Sequence, residues 1–221
     1  MLDKIHKSWF PIMSNIHRNN LDKILDSGNI SPDRDKIFKV FERNLYDRKV
    51  VFLGQDPYPT KGMATGRSFE PGLNKKPPSL RIIEEELKQE LDFTKLEEQG
   101  FLFLNTALTV ELGKAGSHLK YWEKFTENTV KFLSAQNPLI WILLGKKAQK
   151  IIPFIQRAVI IDSEKRIEEI GEIPGMNFIF TAPHPAAEIY SGKTAGFLDS
   201  NIFNLVDKLY KKKYGKSIKW S

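Results

Sequence analysis

Four short apolar runs in this chain are each followed at once by residues able to do chemistry. Val50-Val51-Phe52-Leu53 leads into Gly54-Gln55-Asp56-Pro57-Tyr58-Pro59, and Phe101-Leu102-Phe103-Leu104 leads into Asn105-Thr106. Leu139 to Leu144 leads into Gly145-Lys146-Lys147, and Phe178-Ile179-Phe180 into Thr181-Ala182-Pro183-His184-Pro185-Ala186. An acid, an amide, a basic pair and an imidazole thus stand one behind each run. A carboxylate can orient water or stabilise a cation, an amide can recognise a polar edge, and an imidazole can exchange a proton near neutrality. Each also has an ordinary explanation. Asp56 before Pro57 suits a turn, Asn105 suits a cap after its run, and His184 between prolines suits a loop. Three polar groups in equivalent places nonetheless point to one hydrogen-bonding pocket.

Several other chemistries are disfavoured. No second carboxylate pairs obviously with Asp56, which argues against a two-carboxylate glycosidase. There is no Gly-x-Gly-x-x-Gly, and Gly145-Lys146-Lys147 lacks the glycine-rich run of a phosphate loop. With four histidines and no cysteine, a metal site is not expected, and thiol chemistry is excluded.

The elements that must position these groups follow from the same runs. Each is near-continuous rather than alternating, as strands buried on both faces of a parallel sheet are. Helical stripes lie between them. They are Leu80, Ile83, Leu87 and Leu91 with Ser79 as N-cap, then Trp122, Phe125, Thr129, Phe132 and Leu133, then Ile202, Phe203, Val206, Leu209 and Tyr210. The expected fold is α/β, a three-layer αβα sandwich around a central four-stranded, mainly parallel sheet, with residues 1–221 forming a single domain. The region before Val50 is expected to be mostly helical and to cover one face. Ligands of such sheets bind beyond the carboxyl ends of the strands, where the polar groups converge. The long irregular stretches 57–79 and 183–196 are expected to be functional loops.

Composition agrees with a folded protein that meets a polyanion. Net charge is +7 and the pI about 9.4, which favours nucleic acid as a partner. The C-terminal lysines Lys211, Lys212, Lys213 and Lys216 fit a solvated helix end. No apolar run approaches the length of a membrane span, and the N-terminal residues carry charges where a secretion signal needs apolar ones. A cytoplasmic protein without membrane contact is expected.

The motifs resemble those of family 1 uracil-DNA glycosylases. Gly54-Gln55-Asp56-Pro57-Tyr58 is similar to their water-activating motif, and Phe101 to Val110 to their uracil-recognition strand. Ala182-Pro183-His184-Pro185 resembles the start of their DNA-intercalation loop, and Pro77-Pro78-Ser79-Leu80 their proline-rich phosphate loop. Ser117-His118, Trp122 and Phe125 also follow the pattern, and the similarity runs in order from about Trp9 to Trp220. The resemblance implies an enzyme that flips uracil out of DNA and hydrolyses its N-glycosidic bond. Asp56 would orient the attacking water and stabilise positive charge on the sugar, and His184 would hydrogen-bond uracil O2 as the base leaves. Substrate binding would fall to Gln55, Tyr58, Phe69 and Asn105. Tyr58 would exclude the thymine methyl, Phe69 would stack on uracil, and Asn105 would pair with its polar edge and reject cytosine. DNA contacts would fall to Pro77, Pro78, Ser79, Lys146, Ala186, Ile189 and Tyr190. The resemblance implies no metal or organic cofactor. It implies a monomer acting on single- and double-stranded DNA containing uracil, with a proteinaceous inhibitor as a further partner.

The chain departs from the family pattern at several places. Pro59 stands where a histidine is common, and Lys146 where a serine is. After His184-Pro185, the usual Ser-Pro-Leu-Ser is replaced by Ala186-Ala187-Glu188-Ile189. The Tyr-Pro pair and the His-Pro-Ala-Ala stretch resemble the poxviral branch. The wedge leucine position falls on Glu188, which would face phosphates unfavourably. Ile189 or Tyr190 is therefore expected to serve as the wedge.

Overall fold

The computed structural model describes residues 2–14, 16, 18–170 and 173–221. In chain order its strands are β1 (Ile30–Ser31), β2 (Val50–Leu53), β3 (Phe101–Leu102), β4 (Val110–Glu111), β5 (Ile140–Leu144), β6 (Ala158–Ile161) and β7 (Asn177–Ala182). Its α-helices are α1 (Phe10–Met13), α2 (Arg18–Asp26), α3 (Pro78–Leu87), α4 (Phe93–Glu98), α5 (Leu119–Gln136), α6 (Lys146–Gln149), α7 (Glu164–Ile170), α8 (Ala187–Tyr190) and α9 (Ile202–Tyr214). All four apolar runs become strands, though the second pairs as a strand only at Phe101 and Leu102.

The central sheet has five strands rather than the expected four, in the order β3-β2-β5-β7-β6, and every pairing in it is parallel. The added strand, β6, lies at an edge and leaves Ile160 48% exposed. Its residues Ala158-Val159-Ile160-Ile161 form a continuous apolar run as long as that of β2, which sequence reasoning passed over. A separate antiparallel pair joins β1 to β4, with Ser31 opposite Val110.

Alternation along the strands divides the core into two layers. Val50, Phe52, Ile140, Ile142, Phe178 and Phe180 face α3, α4, α7 and α9. Val51, Leu53, Trp141, Leu143 and Ile179 face α5 and the segment before β2. That segment covers its face as expected, but with short 3-10 turns at Lys7–Trp9, Lys39–Phe41 and Leu45–Asp47 beside α1 and α2, and with one strand. The Ser79 N-cap is not formed. Proline suits the first helical position because its missing N–H needs no partner there, so α3 begins at Pro78 and Pro77 occupies the cap position. Leu91 lies beyond this helix, which ends where Lys88 turns left-handed.

Candidate active site

Since every central strand is parallel, the carboxyl ends of all of them open on one edge of the sheet. The chain runs from β2 outward to β3, then crosses to the other side of β2 for β5. A crevice forms where the strand order reverses in this way, and ligands bind there. Beyond the strands, the Gly54 N–H donates to Leu104 O at 2.8 Å and the Thr106 N–H to Gly54 O at 3.0 Å. This continued pairing carries Asp56 and Asn105 to the crevice side by side. A Cβ at Gly54 would lie 2.3 Å from Asn105 Oδ1 and 2.8 Å from Ser68 Cβ, so only glycine lets the Asn105 amide lie over it. A pocket of about 250 Å³ results, lined by Gln55, Asp56, Tyr58, Phe69, Asn105 and His184 among others. All six residues expected to bind or transform the substrate thus meet in one cavity. Its volume is below the roughly 300–1,000 Å³ of pockets for drug-sized ligands and suits a single small ring.

Asp56 is half-buried at the pocket wall. One of its carboxylate oxygens accepts from Gln55 Nε2 at 2.9 Å, the other from the Gly116 N–H at 2.5 Å. Burial raises its pKa above the ordinary aspartate value. The two hydrogen bonds and the charge of Lys147 oppose that rise. Gln55 is fixed in turn, because its carbonyl accepts from Ala107 N at 2.9 Å and Thr106 Oγ1 at 2.6 Å.

Tyr58 and Phe69 are locked to one another. The Tyr58 hydroxyl donates to Phe69 O at 2.9 Å. Burial pushes that hydroxyl up to about 12, with a Ser79 hydrogen bond opposing, so it remains a neutral donor. Phe69 adopts a left-handed φ of 65°, a conformation that costs a bulky residue about 1–3 kcal/mol and must be held from outside. Ser68 does so by donating from Oγ to Phe52 O at 2.9 Å and from N to Phe103 O at 3.0 Å. Arg67 does so through a fork, with Nη1 on Glu70 at 2.8 Å and Nη2 on Glu97 at 2.7 Å. Glu97 also takes Arg43 Nε at 2.9 Å. Removing one partner from such a buried pair costs about 3–5 kcal/mol. The Phe69 ring rests against Phe52, with centroids 4.7 Å apart. Sequence reasoning missed this ion cluster, because nothing in the spacing links Arg67 to Glu97.

His184 is positioned by Gly145, where a Cβ would lie 2.7 Å from His184 Cβ. Gly145 also has a φ of 86° and donates its N–H to Ala182 O at 2.9 Å. The Ala186 N–H donates to His184 Nδ1 at 3.2 Å, so Nδ1 carries the lone pair and the neutral ring holds its proton on Nε2. The His184 residue is exposed at the surface, but its ring is desolvated on the Gly145 side. That burial lowers its pKa, and the Lys147 ammonium adds to the effect. Lys146 and Lys147 are both exposed on α6, yet the charge acting on Asp56 and His184 is that of Lys147, which the spacing did not single out.

The residues assigned to DNA lie at α3, α6 and α8. Pro77 and Pro78 open α3, and Ser79 reaches the pocket wall. Ala186 is half-buried with its amide engaged by His184. Ile189 is 47% exposed and Tyr190 is 90% exposed. Glu188 does not face outward as expected. It is fully buried, because backbone amides ahead of it in the loop offer better partners than solvent.

Residues 41–201 match the family model for the uracil DNA glycosylase superfamily. The chain is 35% identical over 217 residues to a uracil-DNA glycosylase of Aliarcobacter butzleri, covering 92% of this chain and 91% of that protein. Its fold matches the crystal structure of mimivirus uracil-DNA glycosylase, with a TM-score of 0.79 at 22% identity, over 98% of this chain and 87% of that one. It also matches a mimivirus variant in complex with UGI, with a TM-score of 0.78 at 23% identity, over 98% and 88% of the two chains. The chain belongs to the uracil DNA glycosylase superfamily.

Proposed function

We propose that this protein is a family 1 uracil-DNA glycosylase that flips uracil out of DNA and hydrolyses its N-glycosidic bond. The observation that carries the reading is the pocket itself. A carboxylate held by two donors and a neutral imidazole with its proton on Nε2 line one small cavity with room for a base. The bond is out of reach inside a stacked duplex, so the nucleotide must be extruded into this cavity. Phe69 stacks on uracil, Asn105 pairs with its polar edge, and Tyr58 fills the space beside C5. The C1′–N1 bond breaks with its electrons leaving on uracil. The ionised Asp56 stabilises the cationic sugar and orients the water that adds at C1′, while His184 Nε2–H donates to uracil O2. The water's proton balances the departing anion, and the products are free uracil and an abasic site. Cytosine presents a donor where uracil has an acceptor, and a buried mismatch of that kind discriminates strongly.

Further features support finer assignments. The Tyr58-Pro59 pair and the His184-Pro185-Ala186-Ala187 stretch favour a place near the poxviral branch. Two cores sharing one sheet favour a single domain over residues 1–221. We read the protein as a cytoplasmic monomer; no helix among the described residues is long and apolar enough to cross a membrane. The mimivirus complex with UGI favours a proteinaceous inhibitor as a partner.

Release of free base from an oligonucleotide with one deoxyuridine, measured in EDTA beside thymine and cytosine controls, tests the activity. Uracil alone is expected to appear. DNA binding without release would instead make this a DNA-binding accessory protein, and the absence of both would remove the family as a guide to function. The exposed Ile189 and Tyr190 test the wedge. Tyr190→Ala or Ile189→Ala is expected to lower kcat/KM on duplex substrate about tenfold, because an apolar wedge holds the duplex open. Unchanged duplex activity in both variants would end that assignment.

A further inference from the structure

Glu188 is a carboxylate with no part in the reaction and no contact with solvent. It lies on α8, beside the two exposed residues Ile189 and Tyr190. One of its oxygens accepts from Ala195 N at 3.0 Å; the other accepts from Leu198 N at 3.1 Å and also from Phe197 N. Its backbone carbonyl accepts from Lys193 N at 2.7 Å and from Ser191 Oγ at 3.4 Å. One residue therefore closes the stretch 188–198 on itself. The closure is tied to the core, since Phe197 is fully buried and packs edge-on against Phe203 at 6.2 Å. It is also tied to the pocket, since the Ala187 N–H at the start of the same short helix donates to His184 O at 2.9 Å.

A buried anion is expensive unless its lone pairs are matched, and here three backbone donors match them. Burial raises the Glu188 pKa, but the three amides and the charge of Lys193 together outweigh it and the net shift is downward. The carboxylate is ionised at neutral pH. It turns inward at the point where its charge would otherwise meet phosphates. The same inward turn leaves Ile189 and Tyr190 as the outward residues of α8.

We infer that Glu188 is a positioning residue for double-stranded DNA, an internal latch that holds the 186–198 loop in its DNA-engaging shape before DNA arrives. The inference rests on the reading of this loop as the one that enters DNA. A loop already ordered loses less freedom on binding, so the latch lowers KM for a substrate that must be pried open. A single-stranded substrate needs no wedge and gains little from it.

The test is Glu188→Gln, with Glu188→Ala beside it, assayed on duplex and single-stranded uracil oligonucleotides. Glutamine keeps the shape but turns an N–H₂ toward at least one of the three donors. Glu188→Gln is expected to lower duplex kcat/KM about tenfold, mainly through KM, and to change single-strand kcat/KM less than about twofold. Amide exchange at Ala195, Phe197 and Leu198 is expected to quicken. Equal losses on both substrates would show a merely structural role and overturn the proposal, as would unchanged duplex kinetics. If Glu188→Ala fails to fold, the glutamine variant still decides. The wedge variants separate the two ideas. Silent Tyr190→Ala and Ile189→Ala with a duplex-selective Glu188→Gln would end the wedge assignment and keep the latch.

Discussion

Asp56→Asn is expected to lower kcat about 10³-fold, or about 4 kcal/mol in the barrier, with little change in affinity for uracil-containing DNA. Asparagine nearly matches the carboxylate in shape, so the pocket keeps its volume. What it loses is the charge that faces the cationic sugar. It also turns an amide N–H₂ toward either Gln55 Nε2 or the Gly116 N–H, both of which are donors to Asp56. The pH dependence gives a second readout. Burial raises the Asp56 pKa above the ordinary value of 3.8, and the reaction needs the ionised form. Activity of the intact enzyme should therefore rise with pH through that raised pKa and then level off. The limb belongs to a carboxylate, so the small residual activity of Asp56→Asn should lack it. Single-turnover release measured from pH 4 to 8 checks both points. A variant retaining more than about a tenth of the wild-type rate would remove Asp56 from its role.

The fold was legible where burial on both faces wrote continuous apolar runs, and less so elsewhere. β2, β5 and β7 carry such runs and were recognisable within a residue or two. β6 carries an apolar run as long as that of β2 and was passed over, while β1 and β4 pair over two residues each. Nothing in the local pattern of β1 and β4 separates them from loop. The pocket was legible because parallel strands deliver the residues that follow them to one edge, which requires only the order of the runs. Asp56, Asn105 and His184 arrive there by topology, and Tyr58 and Phe69 were assigned by resemblance. What escaped sequence reasoning are the interactions made between distant segments. Arg67 meets Glu97 across thirty residues, and Gly116 comes to Asp56 across sixty. Glu188 escaped for a different reason. A glutamate beside a DNA loop is expected to point outward unless the partners that would bury it are known, and three backbone amides cannot be read from side-chain types.

His184→Ala is expected to lower kcat about 10²–10³-fold with KM nearly unchanged, because the donor it removes matters most when charge has moved onto uracil O2. His184→Gln should recover part of the loss, since its amide can still donate. The account requires a neutral imidazole. A neutral donor withholds its proton and stabilises the leaving anion by hydrogen bonding, and the Ala186 N–H on Nδ1 favours that form. Burial and the Lys147 ammonium lower the His184 pKa below 6.5, so the ring should stay neutral through physiological pH and charge only in acid. Lys147 also favours the carboxylate of Asp56, so one exposed cation supports both protonation states that the chemistry needs. Lys147→Gln should therefore move the acid limb of kcat to higher pH while the plateau rate near pH 8 changes far less. Titration of the His184 ring by NMR gives the direct check. An apparent pKa above about 8 in the intact protein would mean that the ring enters the reaction as a cation, and proton donation to uracil would replace hydrogen bonding as its task.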